Sequence, residues 1–209
     1  MNSKGHEKLL LKAIEIFNIK FKEFEITNES DIAKLKKGVV DPDKINKTIG
    51  SHYAIFDKAT DTFNNRIKSN PDNAYTNFLK YFDMAIKNND LYYLGFSLHF
   101  VQDMLTIPHA TGIKIAPLYR FGRHRRYEKN LTKNMDRFYI YDIDISDLLK
   151  KDIKYIFKLN VDLINSYKNK LNKKYYDEIN SKIVPLMLKY TIYFMYLYFM
   201  ERSYRDVRN

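Results

Sequence analysis

The residues best able to do chemistry in this 209-residue chain are its five histidines, His6, His52, His99, His109 and His124, because the chain has no cysteine. The densest group lies in LGFSLHFVQDMLTIPHATG, residues 94–112. His99 and Asp103 are four positions apart there, so on a helix they share one face, one above the other. Their neighbours are Leu, Phe, Val and Met, the composition of a buried helix. A buried carboxylate needs an opposite charge, hydrogen-bond donors or a metal. Alone, the pair reads most simply as a core histidine satisfied by its helix neighbour. But the spacing recurs at His124 and Glu128, in GRHRRYE (122–128), and His109 stands between the two pairs. His52 follows a turn-rich segment containing DPD (41–43), and His6 falls in the first turn of the first helix. Without thiolates, any zinc must take nitrogen and oxygen ligands. Five imidazoles and three carboxylates provide for two or three zinc ions with positions left open for water, which marks catalytic rather than structural zinc.

The elements that must position these groups read as helices. Residues 5–18 form the first, with Leu9, Leu10, Ala13, Ile14 and Phe17 on one side. Residues 28–52 read as irregular, with Gly38, Pro42 and Gly50 as breakers. SNPDN (69–73) opens the next helix, capped by Ser69 or Asn70 with Pro71 in its first turn, and it runs to about Asn88. NND (88–90) caps the helix carrying His99 and Asp103, and Pro108 stops it, leaving His109 in a loop. After Gly112 and Pro117 a helix holds His124 and Glu128, and two more, 146–169 and 174–201, complete the chain. FYIYDIDI (138–145) alternates but is short and isolated. The expectation is an all-α bundle, one domain over residues 1–209.

Lys and Arg outnumber Asp and Glu by 36 to 25, a net charge of +11, which favours phosphate-bearing partners without choosing among lipid surface, nucleic acid and small substrate. Arg125 and Arg126 point away from the face of His124 and Glu128 and read as a solvated rim. The usage is rich in Lys, Ile, Asn and Tyr and lacks Trp, which suggests an AT-rich bacterial or viral genome. MNSKGHEKLLLKAIEIF has no secretory pattern, because Lys12 and Glu15 interrupt it. The expectation is therefore a cytoplasmic chain unless it is a mature or truncated form of a secreted one. YTIYFMYLYFM (190–200) falls well short of the roughly 20 apolar residues that span a bilayer, so a buried C-terminal helix is expected.

The ordered set of residues resembles the zinc-dependent phospholipases C of bacteria and the related single-strand nucleases of fungi and plants. LGFSLHFVQDMLTIPH resembles that family's central helix, with Leu-Gly, a His, an Asp four later, then a Pro-containing turn and a further His. GRHRRYE resembles its later His-x-x-aromatic-Glu, GVVDPD (38–43) its segment ending Pro-Asp, and Gly5-His6 its first-helix His. The resemblance implies a mostly helical fold and about three zinc ions. One would be held by Asp43 (with Asp41 as understudy), His52, His99 and Asp103. A second would be held by His109, His124 and Glu128. The third would take His6 and the amine and carbonyl of Met1, with Asp103 bridging. It further implies phosphodiester hydrolysis by metal-activated water, with Asp43 also orienting the water as the one catalytic side chain. Glu128 rather than Asp at the last ligand position favours phospholipid as substrate, giving diacylglycerol and a phosphorylated head group, with peripheral membrane contact. The alternative is a zinc nuclease acting on single-stranded nucleic acid, which the charge would suit.

Overall fold

A computed structural model describes residues 1–45, 52, 73–111, 117–167 and 172–206. Its elements are helices, with no strand among the described residues. They are α1 (Ser3–Lys20), α2 (Glu29–Val40), α3 (Pro42–Ile45), α4 (Ala74–Asn88), α5 (Leu91–Met104), α6 (Ile107–Thr111), α7 (Pro117–Asn134), α8 (Ile153–Asn165) and α9 (Tyr176–Asp206), joined in places by short 3-10 turns. The helix starts follow local chemistry. Asn2, Asn28, Asn73, Asp90 and Asp152 each accept a hydrogen bond from a first-turn backbone N–H, satisfying donors that the helix itself leaves free. Asn73 and Thr76 form a reciprocal capping box at the start of α4. Asn89, at φ 50°, ends α4 in the left-handed conformation that Asn tolerates, and Asp90 opens α5 at once.

Helix α5 is the centre of the bundle. Twelve of its fourteen residues are buried, and α2, α4, α6, α8 and α9 all pack on it. Each fully buried Leu or Phe there contributes about 1.5–3 kcal/mol relative to exposure. Helix α1 buries Leu9, Leu10, Ala13, Ile14 and Phe17, the side expected from the sequence. Phe157 of α8 meets Phe78 of α4 and Phe194 of α9 at ring separations of 5.1 and 5.5 Å. By length and composition Lys173–Arg205 is apolar enough to cross a membrane. In the fold, however, Ile183, Met187, Leu188, Ile192 and Phe194 are fully buried, and α9 packs on α1, α4 and α5 as a core helix.

Several sequence expectations change. Residues 29–40 are helical, not irregular, and Gly38 lies inside α2 rather than breaking it. The reason is a close helix crossing. A Cβ on Gly38 would lie 2.1 Å from the Tyr92 carbonyl oxygen, and one on Gly95 would lie 2.3 Å from the Leu35 carbonyl oxygen. The two glycines let the α2 and α5 backbones touch. Helix α5 ends at Met104, before Pro108, which instead sits in the first turn of α6, where its missing N–H costs nothing. His109 is therefore helical. Helix α8 begins at Ile153 rather than near 146, because Asp152 caps it, and α9 runs on to Asp206. The expected caps Ser69 and Asn70 lie outside the described residues; the described α4 starts after Asn73.

Exchanging glycine for alanine distinguishes these positions. Ala is the better helix former by about 1 kcal/mol, yet Gly38→Ala and Gly95→Ala would each push a methyl group into backbone and cost about 1–3 kcal/mol. Gly122, in α7, has nothing within 4 Å of its would-be Cβ. The expected melting temperatures fall for the first two variants and rise slightly for Gly122→Ala. A rise for all three would remove the close crossing.

Candidate metal centre

Asp103 projects from α5 into the middle of the donor set and is 1% exposed. Its Oδ1 lies 2.7 Å from the Met1 amine, 3.2 Å from His6 Nε2 and 3.1 Å from His109 Nδ1. Its Oδ2 lies 2.8 Å from His52 Nδ1 and 3.1 Å from His99 Nε2. Asp43, at the start of α3, reaches the same place with Oδ1 3.8 Å from His99 Nε2, while its Oδ2 accepts from the Ser3 hydroxyl at 2.8 Å. On the other side His124 Nε2 donates to Glu128 Oε1 at 2.7 Å, Glu128 lies 3.0 Å from the Met1 amine, and the His109 and His124 rings are 4.8 Å apart. All nine residues singled out in the sequence thus converge, from α1, α3, residue 52, α5, α6 and α7. Donor atoms of His6, Asp43 and His99, of His52, His99 and Asp103, and of His109, His124 and Glu128 form three groups, each within 4.8 Å. The expected partition is visible in the last group, whereas His99 belongs to both of the others.

The choice between Asp41 and Asp43 is explained by their neighbours. Asp41 is engaged by the Lys37 ammonium and accepts from the Tyr92 hydroxyl at 3.2 Å, with Lys44 at 3.5 Å. Its carboxyl is held below its usual range: burial opposes this, and Lys37 and Tyr92 outweigh burial. Two residues on, one short helical turn presents Asp43 to the imidazoles instead.

The supporting hydrogen bonds fix which imidazole nitrogens offer lone pairs. His99 Nδ1–H donates to the Val39 carbonyl at 2.9 Å, so Nε2 carries the lone pair that faces Asp103. His6 Nδ1–H donates to Gln102 Oε1 at 2.8 Å, and Gln102 in turn donates to Thr191 at 3.4 Å. His6 Nε2 is buried and makes no hydrogen bond, although it faces Asp103 Oδ1. Lone pairs of imidazole and carboxylate converging on one buried place suit a cation, and neutral nitrogen with carboxylate oxygen is a zinc donor set. The residues present therefore fit the metal. Gln102, Thr191, Thr106 and the Val39 carbonyl were not anticipated from the sequence. Gln102 carried a signal, a lone amide beside Asp103 on an apolar helix; the Val39 carbonyl carried none. Arg125 and Arg126 are exposed, as a rim.

Burial and charge set the proton balance. Burial pushes His99 and His109 down to about 4, Asp103 opposing and neighbouring positive groups helping. Burial works against ionised Asp103, but His109, the Met1 amine, His99 and His6 hold its carboxyl well below the usual range. Burial also lowers the Met1 amine, and Asp103, Glu128 and Asp43 overcome it, raising the amine to about 11.

A helical bundle closing nitrogen and oxygen donors around one buried carboxylate defines a candidate multinuclear metalloprotein. The family description zinc dependent phospholipase C matches residues 5–192, and the chain belongs to that family. Among solved structures the fold is similar to an alpha-toxin of Clostridium perfringens from avian strain SWCP, at 14% identity and a TM-score of 0.61, covering 99% of this chain and 64% of that one. It is also similar to the alpha toxin of Clostridium absonum, at 18% identity and a TM-score of 0.59, covering 98% of this chain and 65% of that one. The chain thus spans about two thirds of the length of these relatives. No curated protein matches it. The family match falls on the phospholipase side, and nothing in these comparisons supports the single-strand nuclease alternative.

The proton balance predicts a stability profile for chelator-treated protein. Between pH 6.5 and about 4 the unfolded histidines bind protons that folded His99 and His109 do not. Their contribution is full above pH 6.5 and lost as pH falls towards 4. The raised Met1 amine contributes fully below its ordinary 8.0 and loses that contribution as pH rises through about 11. Melting temperature should peak between these limits and drop by about 5 °C or more towards pH 4.5, given roughly 2–4 °C per kcal/mol at this size. A flat profile from pH 4.5 to 7 would contradict neutral buried imidazoles.

Proposed function

We propose that the chain is a zinc-dependent phosphodiesterase that hydrolyses phospholipid to diacylglycerol and a phosphorylated head group. The observation that carries this reading is the convergence on Asp103 of four imidazoles and the Met1 amine. His52, His99, Asp103 and Asp43 would hold one ion; His109, His124 and Glu128 a second; His6, Met1 and Asp103 a third. Zinc so held supplies a Lewis acid for phosphate oxygens and a water acidic enough to act near neutrality. The protein's own part is positioning. His99, fixed by the Val39 carbonyl, and His6, fixed by Gln102, keep their lone pairs aimed without reorganisation. Asp43 is the most exposed carboxylate of the set, at 29% against 1% for Asp103 and 15% for Glu128, so it can reach solvent and orient the attacking water. No side-chain nucleophile is needed.

The test joins metal analysis with a panel of phospholipid, mononucleotide and single-strand substrates. About three zinc ions per chain are expected. His99→Ala and Asp103→Ala should each lose zinc and reduce phospholipid hydrolysis by at least about 100-fold. Gently purified protein without zinc or a similar divalent ion, or cleavage of oligonucleotides with phospholipid untouched, would overturn the reading.

The Met1 amine gives a separate test. An uncleaved N-terminal extension turns the amine into an amide that cannot bind zinc. Extended protein should hold about one zinc ion fewer than protein beginning at Met1, with lower activity. Equal zinc content and activity would leave the third position to His6 and Asp103 alone.

A further inference from the structure

Helix α8 has apolar side chains on two faces. Ile156, Phe157 and Ile164 are buried, with Phe157 set against Tyr75, Phe78 and Phe194. Tyr155, Leu159 and Leu163 form a second row at four-residue spacing, 52%, 42% and 42% exposed. Single exposed leucines are ordinary, but a row of three large side chains over about two turns of one helix is a continuous apolar strip facing water. Leu149, in the turn ahead of the helix, adds a fourth large side chain at 47% exposure.

The strip is edged by positive charge. In steps of 100° along the helix, Lys154 and Lys158 fall on one flank of the row, and both are exposed. Lys150 and Lys151 stand in the exposed turn before it, so residues 149–166 carry four lysines against Asp152 and Asp162. Asp152 is already the N-cap, bonded to the Tyr155 backbone; Lys158 shares its ammonium with Asp162 and Lys151 with Asp147, so with Asp147 counted the stretch 147–166 carries four lysines against three aspartates and stays net positive. Apolar side chains beside lysines suit a helix lying in the plane of an anionic lipid surface. The row enters about 5–10 Å below the head groups, while lysine stems run along it and their ammonium groups meet phosphate. A second copy of the chain is a poorer occupant, because a two-fold contact through this row would set lysine flanks close to one another.

The place of α8 gives the surface a purpose. It packs on α6, the helix that carries His109, and also touches α5. Lipid held against α8 is held beside an element of the donor cluster. We propose that the Tyr155, Leu159 and Leu163 face of α8, with Lys154 and Lys158, docks the protein on anionic phospholipid bilayers. The use of this docking rests on the phospholipase reading; the docking itself is measured apart from it.

The test uses the full chain loaded with zinc and sedimented with phosphatidylcholine vesicles, with and without phosphatidylserine. Wild-type protein should bind, more tightly with phosphatidylserine and less tightly as salt rises. Joint replacement Tyr155→Gln, Leu159→Gln and Leu163→Gln keeps helix-forming residues at exposed positions. It should leave the melting temperature unchanged, lower vesicle affinity about tenfold or more, and leave hydrolysis of monomeric short-chain phospholipid within about twofold. Lys154→Glu with Lys158→Glu should abolish the preference for phosphatidylserine. The chain has no tryptophan, so Leu159→Trp gives a single reporter whose emission should shift to the blue on vesicles. Unchanged vesicle binding by the triple variant, an unshifted emission from the Leu159→Trp variant, or a wild-type dimer that the triple variant dissolves would each overturn the proposal. If vesicle binding depends on the row while no phospholipid is hydrolysed in any form, docking stands and the enzymatic reading falls. If monomeric phospholipid is hydrolysed and the row does not matter to vesicles, the reverse holds.

Discussion

An ionised carboxylate at the centre of a helical bundle is the constraint on which the rest of this molecule depends. Asp103 has almost no contact with water, and its desolvation is offset only by the groups that face it. Those groups come from several segments of the chain: the Met1 amine and His6 from its start, His52 from beyond α3, His99 from the same helix, and His109 from the next. None of these elements can move away without leaving a buried charge uncompensated. The chemistry of the site and the cohesion of the fold are therefore the same set of contacts. Breaking a buried charge group by deleting one partner typically costs about 3–5 kcal/mol.

The second constraint is steric. Helices α2 and α5 touch through Gly38 and Gly95, and that closeness puts the Val39 carbonyl where His99 can donate to it. A wider crossing would leave the imidazole without this partner and its tautomer unfixed. Burial then keeps His99 and His109 neutral near pH 7, the form in which imidazole is a ligand. Helix geometry, hydrogen bonding and proton affinity thus act in one direction on each ring.

The donor set was anticipated mainly through the resemblance of its motifs to a known family; the residues alone offered two local His-to-carboxylate pairs and three further histidines. The all-α class was legible from periodicity, and the α4 to α5 turn from Asn89 and Asp90. What could not be read depended on contacts between distant segments. Gly38 looked like a breaker because in isolation glycine weakens a helix by about 1 kcal/mol; only the approach of the α5 backbone explains its place within α2. Pro108 looked like a stop because its own N–H is missing, whereas α5 had already ended and a new first turn accepted it. The resemblance already put Asp43 ahead of Asp41, but the physical reason, the engagement of Asp41 by Lys37 and Tyr92, shows only in the folded chain. His6 was placed correctly at the first turn, but its tautomer depended on Gln102, 96 positions away.

The order of the elements along the chain governs how the centre is born. The last donor is Glu128, whereas α9, which covers α1 and α5, starts at Tyr176 and runs to Asp206. At synthesis rates of about 5–20 residues per second, a nascent chain owns every donor for several seconds before its longest helix has been made. During that interval the imidazoles lie along a chain whose core has not closed, open to metal and to solvent alike. The docking of α9 on α1 and α5 then acts as a closing step, which shuts the core behind the donors and brings Thr191 against the Gln102 that holds His6.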